Sequence, residues 1–458
     1  MPRLPLEGIR IIDSTTILAA PYSLALLGDF GADVIKVEAH TRQSRVGNLL
    51  YHNEVSDAYW NESGFFNIPN RSKRAITLDL KKPEGLEVLL RLIDVSDVFV
   101  ENNRPGAGKR LGIDYESLRQ RKPGIIMLSN SGFGQTGPWT YYGGIGRMLE
   151  LTTGLASLTG YADSPPQRVG SAYVDLQVSY SIVFLLMSAL IHRERTGQGQ
   201  YIDLSMYQIG VSMIGDALLN YVANGNEGER RGNRDPYHAP QGVYPCVGED
   251  RWVALTIGSD DEWATLCRVM AMPDAACDPR FADSLSRVEH QDAIDPLIAH
   301  WTSTQTAEAV MATLQANGIA AGKVNDGRDI LLDPQLRHRE FFEPVTHAPT
   351  QRLGTRVYPG RPYTFSETEA AIQRPAPMLG EHNREVLGDL LGYSSEAIEA
   401  LERDAVIGQQ PIGAGARRSD EMTPLDEQLQ TGHIRAIHPD FESTLADAYP
   451  PKTGERGA

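Results

Sequence analysis

Val169–Met206, VGSAYVDLQVSYSIVFLLMSALIHRERTGQGQYIDLSM, carries one carboxylate at a junction between local structures. Ala172, Tyr173 and Val174 read as a short extended run, and Asp175 stands where that run gives way to a long apolar helix. The helix ends in a basic turn, and Thr196-Gly197-Gln198-Gly199-Gln200 hands the chain to another strand. An acid in that place has two readings. As a helix N-cap its carboxylate accepts from backbone N–H groups two or three residues on, contributing about 1 kcal/mol. The helix N-terminus also keeps it ionised, and an ionised carboxylate beside an acyl thioester is a competent nucleophile. Composition alone favours the cap.

The first third of the chain alternates between strand and helix periodicities. Gly8–Asp13, Ala32–Glu38, Arg74–Leu80, Val98–Glu101 and Gly124–Ser129 read as strands. Helices fall over Tyr22–Asp29, from Pro83 with Leu86, Leu89, Leu90 and Ile93 on one face, and over Tyr115–Gln120. Alternation with short links predicts an α/β fold, a parallel sheet wrapped by helices. Gly225–Pro240 is polar and broken by Gly and Pro, and reads as a linker. A smaller α+β domain follows, with a strand at Trp252–Ile257 and amphipathic helices around 262–270 and 307–317. The expected domains are 1–225 (large domain, first part), 226–335 (linker and small domain), 336–404 (return to the large domain) and 405–458 (a mobile tail or a strap on another surface).

The totals set limits. The 458 residues are 41% hydrophobic and 22% charged, with ample length for a core. A net charge of −16 argues against non-specific nucleic-acid or anionic-membrane binding. Three cysteines without a CxxC, and an N-terminus without an apolar signal core, imply a reducing cytoplasm. The apolar run Ile182–Ile191 reads as too short to span a bilayer.

Gly132-Phe133-Gly134-Gln135-Thr136-Gly137 follows a predicted strand and formally matches GxGxxG, but Pro138-Trp139 and Gly143-Gly144 make the sequel a loop. No acidic residue sits where a ribose hydroxyl needs one, so a mobile glycine loop replaces a dinucleotide site. HExxH, clustered Cys/His spacing and GxSxG are absent from the sequence, so no metal or acyl-serine site is expected. Asn70-Arg71-Ser72-Lys73-Arg74 and Asn102-Asn103-Arg104-Pro105-Gly106, with Lys109-Arg110, place cations on loops flanking predicted strands. A ligand carrying two or three phosphate groups suits them. Trp139, Tyr141, Tyr142 and Met148 hint at an apolar or aromatic acyl group, although aromatics so placed are more often core.

Seven segments in order then carry a resemblance to the class III CoA-transferases, the family of formyl-CoA transferase, carnitine CoA-transferase and related acyl-CoA racemases. They are LEGIRIIDSTT, GADVIKVEAH, NRSKRAITLDLKKPEG, VENNRPGAGKRLGID, SGFGQTGP, SALIHRERTGQGQYIDLSM and APMLGEHNREVL. The resemblance implies a Rossmann-like large domain plus a small domain, in two chains interlocked as rings, although some relatives pair two different subunits. It places the family's catalytic aspartate on Asp175. Asp175 then attacks a donor thioester, and CoA passes through anhydride and aspartyl-CoA intermediates to an acceptor acid. The resemblance also implies CoA contacts at Thr16, Ile17, Ala19, Lys73, Arg74, Asn102, Arg104 and Arg110, and an active-site loop bearing Gly132, Gly134 and Gly137. Coenzyme A enters as substrate, with no permanently bound cofactor.

Departures narrow the expectation. Racemases of the family carry a histidine, usually as GHD, where this chain has Gly144-Ile145-Gly146, and Ile145 carries no proton. Leu18 stands where formyl-CoA transferase has a glutamine, and Ala39-His40-Thr41 lacks the usual Arg-Pro or Gly-Asp cue. The alternatives are an acyl-CoA racemase or isomerase, and a CoA-binding partner subunit of a heteromeric transferase.

Overall fold

The computed structural model describes residues 4–41, 45, 50–170, 172–412 and 422–450. Contacts divide the chain into two compact units, 1–153 with 170–213 and 334–458, and 154–169 with 214–333.

The first unit is built on six strands: β1 (Arg10–Ser14), β2 (Asp33–Glu38), β3 (Lys73–Thr77), β4 (Val98–Glu101), β5 (Ile126–Ser131) and β6 (Tyr201–Ser205). They pair in the order β3-β2-β1-β4-β5-β6, every pair parallel. This is the doubly wound order in which ligands bind beyond the carboxyl ends of the strands, where the order reverses. Inner strands such as β4 and the first half of β5 read as apolar runs because both faces are covered, whereas edge strand β6 is exposed at Tyr201 and Asp203. Ile11, Val34, Val98, Val100, Ile126 and Leu128 pack with helices Ala19–Asp29 and Tyr173–Thr196. Their neighbours Ile12, Ile35, Ile76, Phe99 and Met127 point the other way, onto helix Pro83–Asp94 and the returning chain at Val386, Leu387 and Ile398. A period of two thus builds two cores from one sheet.

The helix Tyr173–Thr196 corrects two sequence expectations. It begins at Tyr173, so the run Ala172–Val174 is not a strand, and it is 24 residues long. With a mean hydropathy of 1.8 in its most apolar window it is long and apolar enough to cross a membrane by length and composition. Val174, Val178, Ile182, Leu186, Ala189 and Leu190 on one side are core residues. Leu176, Tyr180, Phe184 and Ile191 on another side are exposed, Phe184 by 71%.

The second unit holds an antiparallel sheet, β7 (Gln241–Pro245), β8 (Trp252–Thr256) and β9 (Ala320–Lys323), in the order β7-β8-β9. Helices Asp260–Val269, Gln291–Thr302 and Ala307–Ala316 cover it through Trp263, Leu266, Ile294, Ile298, Val310 and Leu314. Its boundaries differ from 226–335. It starts at Ile214, before helix Gly215–Asn224, and takes in 154–169, an excursion that no shift in composition announces.

Two further strands of the first unit, β10 (Phe342–Thr346) and β11 (Thr355–Pro359), form an antiparallel hairpin. The chain stays on the sheet past 404. Val406 and Ile407 are buried, Val406 O accepts from Asp79 N, Thr77 and Gly408 bond reciprocally, and Ile412 N donates to His40 O. The stretch expected to be a tail also contains helices Leu425–Gln430 and Phe441–Ala448. Glu442 there accepts from Tyr51 Oη and from Arg356, each at 3.0 Å. The rest of that stretch, 413–421 and 451–458, lies outside the described residues.

Candidate active site at the carboxyl edge of the sheet

Beyond the carboxyl ends of β1, β4 and β5 lies a cavity of about 550 Å³. Thr16, Ile17, Ala19, Asn102, Arg104, Gly132 and Asp175 line it together. A second cavity of about 400 Å³, beyond β1 and β2, is lined by Thr16, Lys36, Glu38, Asp79 and Arg110.

Asp175 is the third residue of its helix, 9% exposed, and the N-cap place belongs to Ala172. The cap reading of the sequence therefore gives way to a first-turn carboxylate. Burial, with the nearby Glu150 carboxylate adding to it, raises its pKa to about 6, against its own backbone N–H and Arg147. Glu150 is itself fully buried and accepts from Gly170 N at 3.1 Å. At neutral pH Asp175 is still mostly ionised, and dry enough to be reactive. Ser179 Oγ, one turn on, lies 2.9 Å from Asp175 O and 2.7 Å from Ala19 O, its one proton shared between them.

Gly146 stands in the sequence only as a flank of Ile145, and its part beside Asp175 is not legible there. It opens helix Gly146–Thr152, and a Cβ there would lie 1.6 Å from Asp175 Oδ2. The carboxylate occupies the space of a missing side chain. Gly132 serves a related end, since a Cβ on it would meet Gly144 Cα at 3.0 Å. Two glycine loops therefore touch by their backbones beside the cavity. Gly134 and Gly137 do not line it. Their φ angles of +91° and +98° turn the loop, and Asp203 holds it by accepting from Gln135 N at 2.9 Å.

The loop after β1 is clamped by Asn102, which accepts from Thr16 N and donates to Thr16 O, both at 2.9 Å. The clamp holds Ile17 at φ +74°, a strained place for a β-branched residue and one typical of functional loops. Ile17 is exposed to the cavity.

Lys73 and Arg74 are not brought to this edge; they begin β3 at its amino end. Lys73 is fully buried, donating to Asp13 Oδ2, Pro21 O and Asn70 Oδ1 at 2.8, 2.7 and 3.0 Å. Burial works to raise Asp13, yet the Lys36 and Lys73 ammoniums outweigh it and hold it far below the carboxylate range. Arg74 pairs with Asp33 and Glu385. Both cations stabilise the sheet instead of meeting a ligand at the cavity.

Ile145 lines the cavity with Asp175, so the family's histidine position lies there with no proton carrier in it. The aromatic residues are not core: Trp139, Tyr141 and Tyr142 are exposed, Tyr142 by 63%, and Tyr142 lines the cavity. Trp139 stacks on Tyr142, and both meet the ring of Phe133 edge-on. No group of three or more His, Cys, Asp or Glu side chains suited to a metal occurs among the described residues.

A doubly wound sheet with a buried carboxylate at its switch point matches one family along most of the chain. The family model of CoA-transferase family III covers residues 6–383, and the chain belongs to that family. Among its relatives, succinyl-CoA–D-citramalate CoA-transferase of Chloroflexus aurantiacus is 34% identical over 89% of this chain and 99% of that protein. Succinate–glutarate CoA-transferase of Agrobacterium fabrum is 32% identical over 88% and 97%. A solved CaiB/BaiF family protein of Brucella suis superposes with a TM-score of 0.76 at 31% identity, covering 85% of this chain and all of that one.

Proposed function

We propose that the protein transfers CoA from an acyl-CoA donor to a carboxylic acid, with Asp175 as the nucleophile. The observation that carries this is a buried, ionisable carboxylate packed onto Gly146 in a cavity at the switch point. An Asp175 oxygen attacks the thioester carbonyl; a C–O bond forms, the C–S bond breaks, and CoA leaves as its thiolate. The thiolate attacks the aspartyl carbonyl of the resulting anhydride, freeing the donor acid and leaving an aspartyl-CoA thioester. The acceptor carboxylate attacks that thioester and expels the thiolate, which then takes the acceptor acyl group and restores Asp175. The acids named for the relatives, succinate, citramalate and glutarate, favour dicarboxylic substrates.

Thr16, Ile17, Ala19 and Arg104 adjoin the reacting end of CoA, and Arg110 in the second cavity suits its phosphates. The touching glycine loops keep water from the anhydride. The chain acts as an interlocked homodimer, for which the exposed apolar side of helix 173–196 supplies contact surface. It works in the cytoplasm, consistent with three unpaired cysteines.

The test is hydroxylamine trapping during turnover, read by peptide mass. A hydroxamate on Asp175 is expected, with no transfer but retained CoA binding in Asp175→Asn. Wild-type turnover in that variant refutes the nucleophile.

A further inference from the structure

The cavity beside Asp175 contains two polar groups that the transfer step leaves unused. Strand β5 ends in Asn130 and Ser131, and both line the cavity. Asn130 is 3% exposed. It alternates with Ile126 and Leu128, which share a core with Val174 and Val178 of the Asp175 helix. Period two therefore puts Asn130 on the face of the sheet that carries Asp175. Its Oδ1 is buried and accepts no hydrogen bond among the described residues, and Ser131 Oγ is equally without a partner there. Leaving such groups unpaired destabilises a fold, and native interiors satisfy nearly all of them. A ligand in the cavity removes that cost.

We propose that Asn130 recognises a hydroxyl group on the carboxylic acid held beside Asp175, an inference that rests on the transfer reading above. Asn130 selects among substituents by its chemistry. Oδ1 only accepts, so it needs a donor. A carboxylate cannot donate and leaves Oδ1 bare, and a methylene offers nothing. A hydroxyl donates to Asn130 Oδ1. Charge gives the same answer. Arg104 is the only lysine or arginine lining this cavity among the described residues, and it is exposed. A carboxylate against the end of β5 is then buried without a counter-charge, whereas a hydroxyl carries no such penalty. The protein is thus specific for hydroxy acids among the acids its family handles.

The experiment uses the full chain with succinyl-CoA as donor and acceptors differing by one hydroxyl: 2-hydroxyglutarate against glutarate, and citramalate against methylsuccinate. The quantity read is the kcat/KM ratio within each pair, from which any misfolded fraction cancels. The wild type should favour the hydroxy acid by at least about tenfold in one pair, as a site built around a hydroxyl discriminates. Asn130→Leu should bring that ratio within about threefold of unity by slowing the hydroxy acid far more than its counterpart. A wild-type ratio near unity in both pairs overturns the inference, as does a ratio that Asn130→Leu leaves unchanged. If no acid accepts CoA from any donor, the transfer reading itself falls, a different failure from lost discrimination in an active enzyme.

Discussion

Gly146→Ala tests whether Asp175 acts from the place where it is seen. The added Cβ falls 1.6 Å from Asp175 Oδ2. Ordinary contact begins near 3.4 Å, so the carboxylate must retreat by ~1.8 Å or swing to another rotamer. A reacting group displaced by about 1 Å costs on the order of 10²-fold in rate, so kcat should fall by about 10²–10³-fold. The fold should survive, because the clash is with the end of one side chain and alanine is the better helix former by up to about 1 kcal/mol. Steady-state transfer and thermal unfolding should therefore diverge, with a large loss of kcat at an unchanged or raised midpoint. A Gly146→Ala enzyme within about threefold of wild-type kcat refutes the geometry. Loss of activity together with unfolding would mean instead that Gly146 serves the fold.

Other outcomes follow from the same site and sheet. Because burial and Glu150 raise Asp175 to about 6, kcat/KM should decline as pH falls through 6 and level off above it; Glu150→Gln should move that limb to lower pH, and a limb near 4 in the wild type contradicts the reading. Arg71 and Asp29 form a fully buried ion pair at 2.9 Å, so Arg71→Met should cost about 3–5 kcal/mol in urea unfolding. Arg110→Ala should raise KM for acyl-CoA about tenfold without changing the unfolding midpoint, while Lys73→Met should lower that midpoint; equal effects of the two on KM oppose the assignment.

The parallel sheet was legible because its inner strands are buried on both faces, so runs such as Val98–Glu101 stand out against polar links. The start of the long helix was misread because Tyr173 and Val174 are residues that strands favour, and packing of Val174 and Val178 into the core overrides that preference. Asp175 could be located by its neighbours, but its environment could not. Gly146 and Asn130 lie 29 and 45 positions before it, and only folding brings them to one cavity. Lys73 misled for the same reason. Its acid, Asp13, is 60 residues away, so a cation that reads as free is already paired inside the sheet.

Ser179 has a consequence for motion. Its Oγ lies 2.7 Å from Ala19 O and 2.9 Å from Asp175 O, so one hydroxyl ties the helix of the nucleophile to the helix that follows the Thr16–Leu18 loop. Shifting either helix against the other breaks that tie, so the attacking group and the loop that faces it are held in register.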